Sequence, residues 1–293
     1  MPNNTILTPS IIAREALMVL RNNAVMANLV HRDYSEEFAA VGDTITIRKP
    51  ATFAAKEFSD KIEVQDINEA GVPVKMDKLL DVSFAVTSKE LALDIEDFSA
   101  QLLVPAMQAF NDKVDGYLLA LEKECTNRVA HASGTIAPAD LIAARKLLTR
   151  NAAPLTDRRF VVGATAEADL LNDERFTNAS AVGDEGTALR EASLGRKYGM
   201  DIYTDQNVAK VDATTAYTPS IAFHKNAFAL VTRPMALPKG AKDAAIVNYD
   251  GFALRVVYGY DMETKTDIVS IDMLCGVALL EDKLAAVVDD TRA

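Results

Sequence analysis

The chain has three histidines, His31, His131 and His224, and none stands in an HxH or HExxH spacing. A zinc site draws its ligands from closely spaced donors, so these three offer no local metal centre. There is no GxSxG elbow to present a serine. A Ser-His-Asp triad would have to be assembled from distant parts of the chain, since triads ignore sequence order. Cys125 and Cys275 stand alone in apolar surroundings, outside any CxxC pair. They read as two small buried hydrophobes rather than as a disulfide or a reactive thiolate. The carboxylates cluster more suggestively. Asp94, Glu96 and Asp97 precede a long apolar-periodic stretch, where they suit a cation or, better, the positive end of a helix dipole. Asp184 and Glu185 lie in the glycine-bearing stretch "TNASAVGDEGT" (177–187), which reads as a surface loop. They and the pair Asp289–Asp290 lack the DxDxDG order of a calcium loop.

The strongest imitation of a ligand site is "ASLGRKYGMDIYTDQNV" (192–208), where Gly195 and Gly199 flank Arg196 and Lys197, with Asp201 and Asp205 beyond. A phosphate loop runs strand, glycines, then a helix whose N–H groups meet the anion. Here the order is helix, glycines, strand. Gly195 is expected at positive φ as the end of a helix, Arg196 and Lys197 at the negative end of its dipole, and Gly199 in a tight turn into the strand. The stretch reads as a corner that binds no nucleotide.

Composition narrows the function classes. With 49% hydrophobic and 25% charged residues in 293, the chain has enough apolar material for a substantial core. Lys and Arg total 31 and Asp and Glu 42, giving a net charge of −11. Such a surface repels a phosphate backbone, and no run of basic residues offsets it, so DNA contact is expected to be weak and non-specific. Charges interrupt the apolar N-terminal stretch, which excludes a signal peptide or membrane span there. The expectation is a soluble protein, intracellular when made.

Periodicity supplies the elements. Residues 9–30 read as an amphipathic helix with Ile12, Ala16, Val19, Leu20 and Asn23 on one face, Thr8 as cap and Pro9 in its first turn. Whether that face meets the chain's own core or a neighbour stays open. A strand follows at 42–50. Even positions then turn apolar at Val74, Met76, Leu80, Val82, Phe84 and Val86, with Lys78 the one break. As one strand, 74–86 would reach about 40 Å, too long for a single core. It is expected to project as a hairpin with residues 51–71 near its tip. The outer Val74 and Met76 would then pack on a neighbour, and Phe84 in the subunit's own core. Helical spacing from Met107 to Val129 gives a helix over about 97–130, kinked or begun at Pro105. Beyond it come a helix at 138–150, the strand "RRFVVG", a helix from Thr165, a short helix reaching Gly195, and a β-rich last third. This order is not βαβα, so the fold class is α+β.

Four stretches, taken in order, carry a likeness: "AREALMVLRNNAVMANLVHRDYSEEFAAVGDTITIRKP", "LGRKYGMDIYTDQNV", "IAFHKNAFALVTRPMALP" and "GFALRVVYGYDMETKTDIVSIDMLCGVALLEDKLAAVV". With the long helix they resemble tailed-bacteriophage major capsid proteins, coat proteins with the Hong Kong 97-type fold also seen in encapsulin shells. The resemblance implies an N-terminal arm (1–35) and an extended β-hairpin loop with its base (36–90). It also implies a peripheral domain with a spine helix (91–135), an axial domain (136–250), and C-terminal strands completing the peripheral domain (251–293). It implies a non-enzymatic, self-assembling subunit of the icosahedral head that encloses a double-stranded DNA genome, built of pentamers and hexamers. No cofactor, metal or catalytic residue goes with that role. Implied partners are a separate scaffolding protein, because the chain begins almost at the arm, a portal, and a decoration protein. The subunit would be assembled in the host cytoplasm and reside in the virion. Some relatives crosslink a lysine to an asparagine. Lys56 and Lys61 lie in the corresponding loop, but no motif identifies partners and no such site is assigned. The alternatives are an encapsulin-like nanocompartment shell and, more remotely, a hydrolase with a dispersed triad.

Overall fold

The structure, a computed structural model, describes residues 8–32, 44–49, 55, 57, 71–86, 99–130, 135–177, 191–208, 216–240, 243–249, 251–261, 266–289 and 291–292. Helix α1 (Pro9–Asn23) starts as its sequence dictates, with extended Thr8 before it and Pro9 in the first turn. The Thr8 hydroxyl, however, lies 3.0 Å from that of Ser10 and caps no backbone N–H. The helix also stops seven residues before 30, and a separate turn, α2 (Met26–Leu29), follows. Ile12, Ala16 and Leu20 are buried on the chain's own core, so of the two readings left open the first holds for residues 9–30.

Strands β1 (Thr44–Arg48) and β2 (Gly71–Lys75) pair antiparallel, Thr44 opposite Lys75 and Arg48 opposite Gly71. Strand β3 (Lys78–Val86) is separate from them and pairs with another sheet. The expected single strand over 74–86 is therefore broken at Met76–Asp77, although even residues from Val72 to Phe84 still face inward. Even Lys78 obeys the alternation: its ammonium stands over the Tyr117 ring, 5.7 Å from the centroid. The hairpin's tip, apart from Ala55 and Glu57, lies outside the described residues.

The expected helix over 97–130 is shorter and composite. A π-helical turn (Ser99–Leu103) leads into α3 (Val104–Ala120), which a 3-10 turn (Leu121–Glu124) ends. Pro105 sits in the first turn of α3, where its missing N–H costs nothing. Val129 belongs to strand β4 (Arg128–Ala130), not to the helix.

Next come α4 (Pro138–Arg150), β5 (Arg158–Val162), α5 (Ala164–Asn172) and α6 (Glu174–Thr177). Gly163, not Thr165, occupies the cap position of α5. The remaining strands are β6 (Arg196–Lys197), β7 (Met200–Thr204), β8 (Ala216–Tyr217), β9 (Ser220–His224), β10 (Phe228–Arg233), β11 (Asp243–Tyr249), β12 (Phe252–Asp261), β13 (Thr266–Leu279), β14 (Ala285–Asp289) and β15 (Thr291–Arg292).

Two sheets organise these strands. In one, β10, β13, β12 and β11 lie in that order and β3 also pairs with β13; the other runs β4-β14-β9-β5-β7-β6. The implied cut at 250 does not follow the pairing. Strands β10 and β11 join the C-terminal β12 and β13, whereas β14 joins β9. The six-stranded sheet is a wall between two cores. Successive side chains on a strand point to opposite faces. Val161, Ile221, Phe223 and Val287 therefore meet α1 and α3, while Phe160, Val162, Ala222 and Val288 meet α4 and α5. A third, smaller core joins Ile45, Ile47, Val74 and Met76 to Ala229 and Val231 of β10. Val74 and Met76 are thus buried within the subunit, at 0% and 4% exposure, while Phe84 is half-buried. The outer residues thus pack on the subunit itself and not on a neighbour, whereas Phe84, with Leu80 and Val82, packs against the subunit's main core as expected. Among the described residues no helix is long and apolar enough to cross a membrane.

Candidate functional site

Among the described residues, no three His, Cys, Asp or Glu side chains gather as metal ligands would. His224 is buried, its Nδ1 accepting from the Asn226 N–H at 3.2 Å, and burial holds its pKa below the usual value. His31 makes a backbone bridge to Ala229. His131, Asp94, Glu96, Asp97, Asp184, Glu185, Asp290, Lys56 and Lys61 lie outside the described residues. Cys125 and Cys275 are free and buried, as read, and burial pushes both thiols up to about 12. Asp289 pairs with Arg128, which also holds Glu122 at 2.9 Å.

The glycine stretch is a corner of a different kind from the one expected. The chain leaves helical structure at Glu191, and Ala192, not Gly195, is the positive-φ residue beside it. Lys197 pairs with Met200, and the two residues between them, Tyr198 and Gly199, have φ of 50° and 77°. Positive φ at both central residues is the type I′ pattern of a two-residue hairpin. Gly195 does adopt the expected positive φ, 57°, but there its carbonyl accepts from Ile202 and prolongs the β6–β7 ladder. Arg196 lies 3.8 Å from Asp201 across the hairpin, both largely exposed.

The one stretch residue with an unusual environment is Asp205, just past β7. It borders a cavity of about 420 Å³ whose other walls include Gln108, Asn111, Asp112 and Asp115 of α3. Asn111 and Asp115 are one helical turn apart on the otherwise apolar buried face of α3. Asn111 donates to the Leu20 carbonyl at 3.1 Å, near the end of α1. Asp115 accepts from the N–H groups of Ala27 at 2.9 Å and Val25 at 3.2 Å, at the start of α2. Asp115 therefore satisfies N–H groups that the break between α1 and α2 would leave unbonded, while Asn111 adds a second donor to a Leu20 carbonyl that already accepts from the Ala24 N–H. The sequence carried a signal for them, two polar residues on the stripe of Met107, Phe110, Val114 and Leu118, but it was not read.

Burial pushes the Asp115 carboxyl up to about 7, helped by the neighbouring Asp205 charge and opposed by the N–H groups of Ala27, Val25 and Met26. Asp205 is raised as well, by burial first. A folded pKa above the unfolded value of about 3.9 means that the native state binds more protons between those values. Stability from Asp115 is thus present below about pH 4 and is lost as pH rises through about 7, and Asp205 acts in the same direction. His224, shifted down, acts in the opposite direction below its ordinary value of 6.5. The melting temperature of Asp205→Asn is expected to fall less steeply between pH 5 and 8 than that of the parent. Parallel curves would show that this cavity does not control the slope.

The surface offers other material for recognition. Leu79 of β3, Ile246 of β11 and Tyr260 of β12 expose 56%, 39% and 60% of their area. Strands β3 and β11 each pair with one described neighbour only, so each presents a sheet edge as well.

No protein-family model matches the chain, and no curated protein does. Solved structures match nearly its whole length. A chain from Mycobacterium phage Che8 is 20% identical with a TM-score of 0.62, covering 91% of each chain. The capsid structure of cyanophage P-SCSP1u gives 14% identity and a TM-score of 0.58, over 90% of this chain and 87% of that one. A virus-like particle from Pyrococcus furiosus gives 14% and 0.52, over 95% and 98%. At such identities the likeness is one of fold: this chain has the Hong Kong 97-type α+β fold.

Proposed function

We propose that the chain is a major capsid protein, the structural subunit of an icosahedral phage head enclosing double-stranded DNA. The observation that carries this reading is the likeness over 90% of the chain to a cyanophage capsid structure. The chemistry supports it. Exposed apolar side chains beside open sheet edges suit contacts between copies, which closed symmetry repeats around a shell. The charge of −11 keeps the wall from holding packaged DNA tightly. The role is interfacial rather than catalytic. Its partners are other copies in pentamers and hexamers, with a scaffolding protein, a portal and a decoration protein. Assembly takes place in the host cytoplasm, and the product resides in the virion.

A second reading, an encapsulin-like compartment, is favoured by the match to the Pyrococcus furiosus particle. One experiment tests both. The purified protein, alone and with the co-expressed products of its neighbouring genes, is expected to sediment as capsomers and shells visible by electron microscopy. Nuclease-protected DNA in shells from infected or induced cells is the phage outcome. A protected enzyme cargo without DNA is the compartment outcome. A protein that remains monomeric under every condition would exclude both.

A further inference from the structure

Leu155 is 62% exposed, more than any other large apolar residue described, yet its loop is firmly braced. The loop runs from the end of α4 at Arg150 to the start of β5 at Arg158. Arg158 is buried and donates to the carbonyls of Pro154 and Ala153, each at 2.7 Å, and to the Thr149 hydroxyl at 2.9 Å. The Ala153 N–H donates to the Leu148 carbonyl at 3.0 Å, and the Asp157 carbonyl accepts from the Lys225 N–H at 3.2 Å. Ala152 and Asp157 hold φ of 57° and 51°, a region that residues with a side chain seldom enter. Burying a guanidinium and holding such φ values both cost stability. They have a physical reason if the loop presents Leu155 to a partner, since an anchor ordered in advance loses little freedom on docking.

The same chain carries a recess of matching character. Gly116, Leu119 and Ala120 of α3, with Val208, Pro219 and Ile221, form most of the wall of a hollow of about 90 Å³. That is several times what one water needs, roughly 10–15 Å³, and well below small-ligand pockets of roughly 300–1,000 Å³. A single aliphatic side chain suits it. Leu155 does not reach it within one subunit. Strands β5 and β9 pair antiparallel, Arg158 opposite His224 and Val161 opposite Ile221. The loop therefore leaves the six-stranded wall at the Arg158–His224 end, and the recess lies at the Pro219–Ile221 end. They also lie on opposite faces: Ala153 of the loop packs in the core of α4 and α5, Ile221 in that of α1 and α3. Charge agrees with a match between them. Arg150 begins the loop, and Lys123 lines the recess; among the described residues neither forms an ion pair. Exposed Asp157 on the loop offers a partner for Lys123. Exposed Asp112, which accepts from the recess residue Asn207 at 3.3 Å, offers one for Arg150. A knob and a recess at opposite ends of one sheet are the two halves of a head-to-tail contact, which closes into a ring when repeated by rotation. We propose that Leu155 of one copy inserts into the recess beside Gly116 of the next. The choice of a second copy as partner rests on the shell reading, which this contact deepens.

The test mixes two variants of the full chain, each made with the co-expressed products of the neighbouring genes. Leu155→Asp keeps the recess and loses the knob, at a surface position that does not threaten folding. Gly116→Leu keeps the knob and fills the recess. A Cβ at Gly116 meets nothing within 4 Å, and leucine favours a helix interior more than glycine does. Thermal melts check that both variants fold. In sedimentation velocity the wild type is expected to form rings of several copies. Each variant alone should associate at least ~10-fold more weakly, about 1.4 kcal/mol. An equimolar mixture should stop at dimers, because only one knob and one matching recess remain to meet. Rings or shells that survive Leu155→Asp would overturn the contact while leaving the shell reading intact. A mixture that stays monomeric would also overturn it, by assigning knob and recess to different partners. A wild type that remains monomeric would overturn the contact and the shell reading together.

Discussion

Phe223→Ala is expected to destabilise the subunit by about 3–5 kcal/mol, the range for removing a fully buried aromatic ring. Phe223 has no exposed area, and its ring meets that of Phe228 edge-to-face, with centroids 5.3 Å apart. The two belong to different sheets, β9 of the six-stranded wall and β10 of the other sheet. The ring therefore joins the sheets through the core they share with α3. At roughly 2–4 °C per kcal/mol for chains of this size, the melt should fall by about 10 °C. Phe84→Ala, on edge strand β3 and half-buried, should cost well under half as much. Thermal melts of the two variants side by side check this. Equal losses would mean that the sheets are not coupled through Phe223.

Gly276→Val should leave a folded subunit that does not assemble into shells. Gly276 lies in β13, where the chain crosses from β2 to β3. A Cβ there would stand 2.5 Å from the Lys75 carbonyl oxygen and 3.3 Å from the Met76 Cα. Both are backbone atoms, and no side-chain rotation relieves the contact. The hairpin base must move, taking Val74 and Met76 away from Ala229 and Val231. Overpacking of this kind costs about 1–3 kcal/mol, within what a core of this size tolerates. The larger effect is geometric: under the proposed capsid role, a displaced β1–β2 pair would reorient the same surface in every copy. Circular dichroism should show retained structure, and electron microscopy should show no closed particles. Normal shells from Gly276→Val would disprove a role for hairpin docking in assembly.

Both predictions turn on features that were not legible in the chain. What was legible is local. The apolar runs "SIAFH" and "FALVT" gave strands β9 and β10, and the stripe from Met107 to Leu118 gave α3, because side-chain period follows from backbone geometry alone. The alternation from Val74 to Phe84 was equally correct about which apolar residues face inward. The glycine corner was half legible: positive φ at Gly195 and a tight turn at Gly199 were expected, but a Tyr-Gly hairpin turn lacks the Asn-Gly or Asp-Gly signature that announces one.

The sequence by itself determined the α+β class, the inward face of β3 and of α3, the burial of the two cysteines, and a charge of −11 that disfavours tight DNA binding. The tertiary structure alone decided where elements stop and which partner each takes. Residues 74–86 split at Met76–Asp77 because β2 pairs with β1 and β3 with β13, and β13 meets the crossing with a glycine. Helix α1 can end at Asn23 because Asp115, about ninety residues away in sequence, takes up the Val25 and Ala27 N–H groups that the break exposes. The Asp205 cavity exists only where β7 ends against that same helix. Periodicity is a property of neighbours along the chain. Termination, pairing and the gathering of carboxylates depend on contacts between residues far apart in it, and no local pattern encodes those.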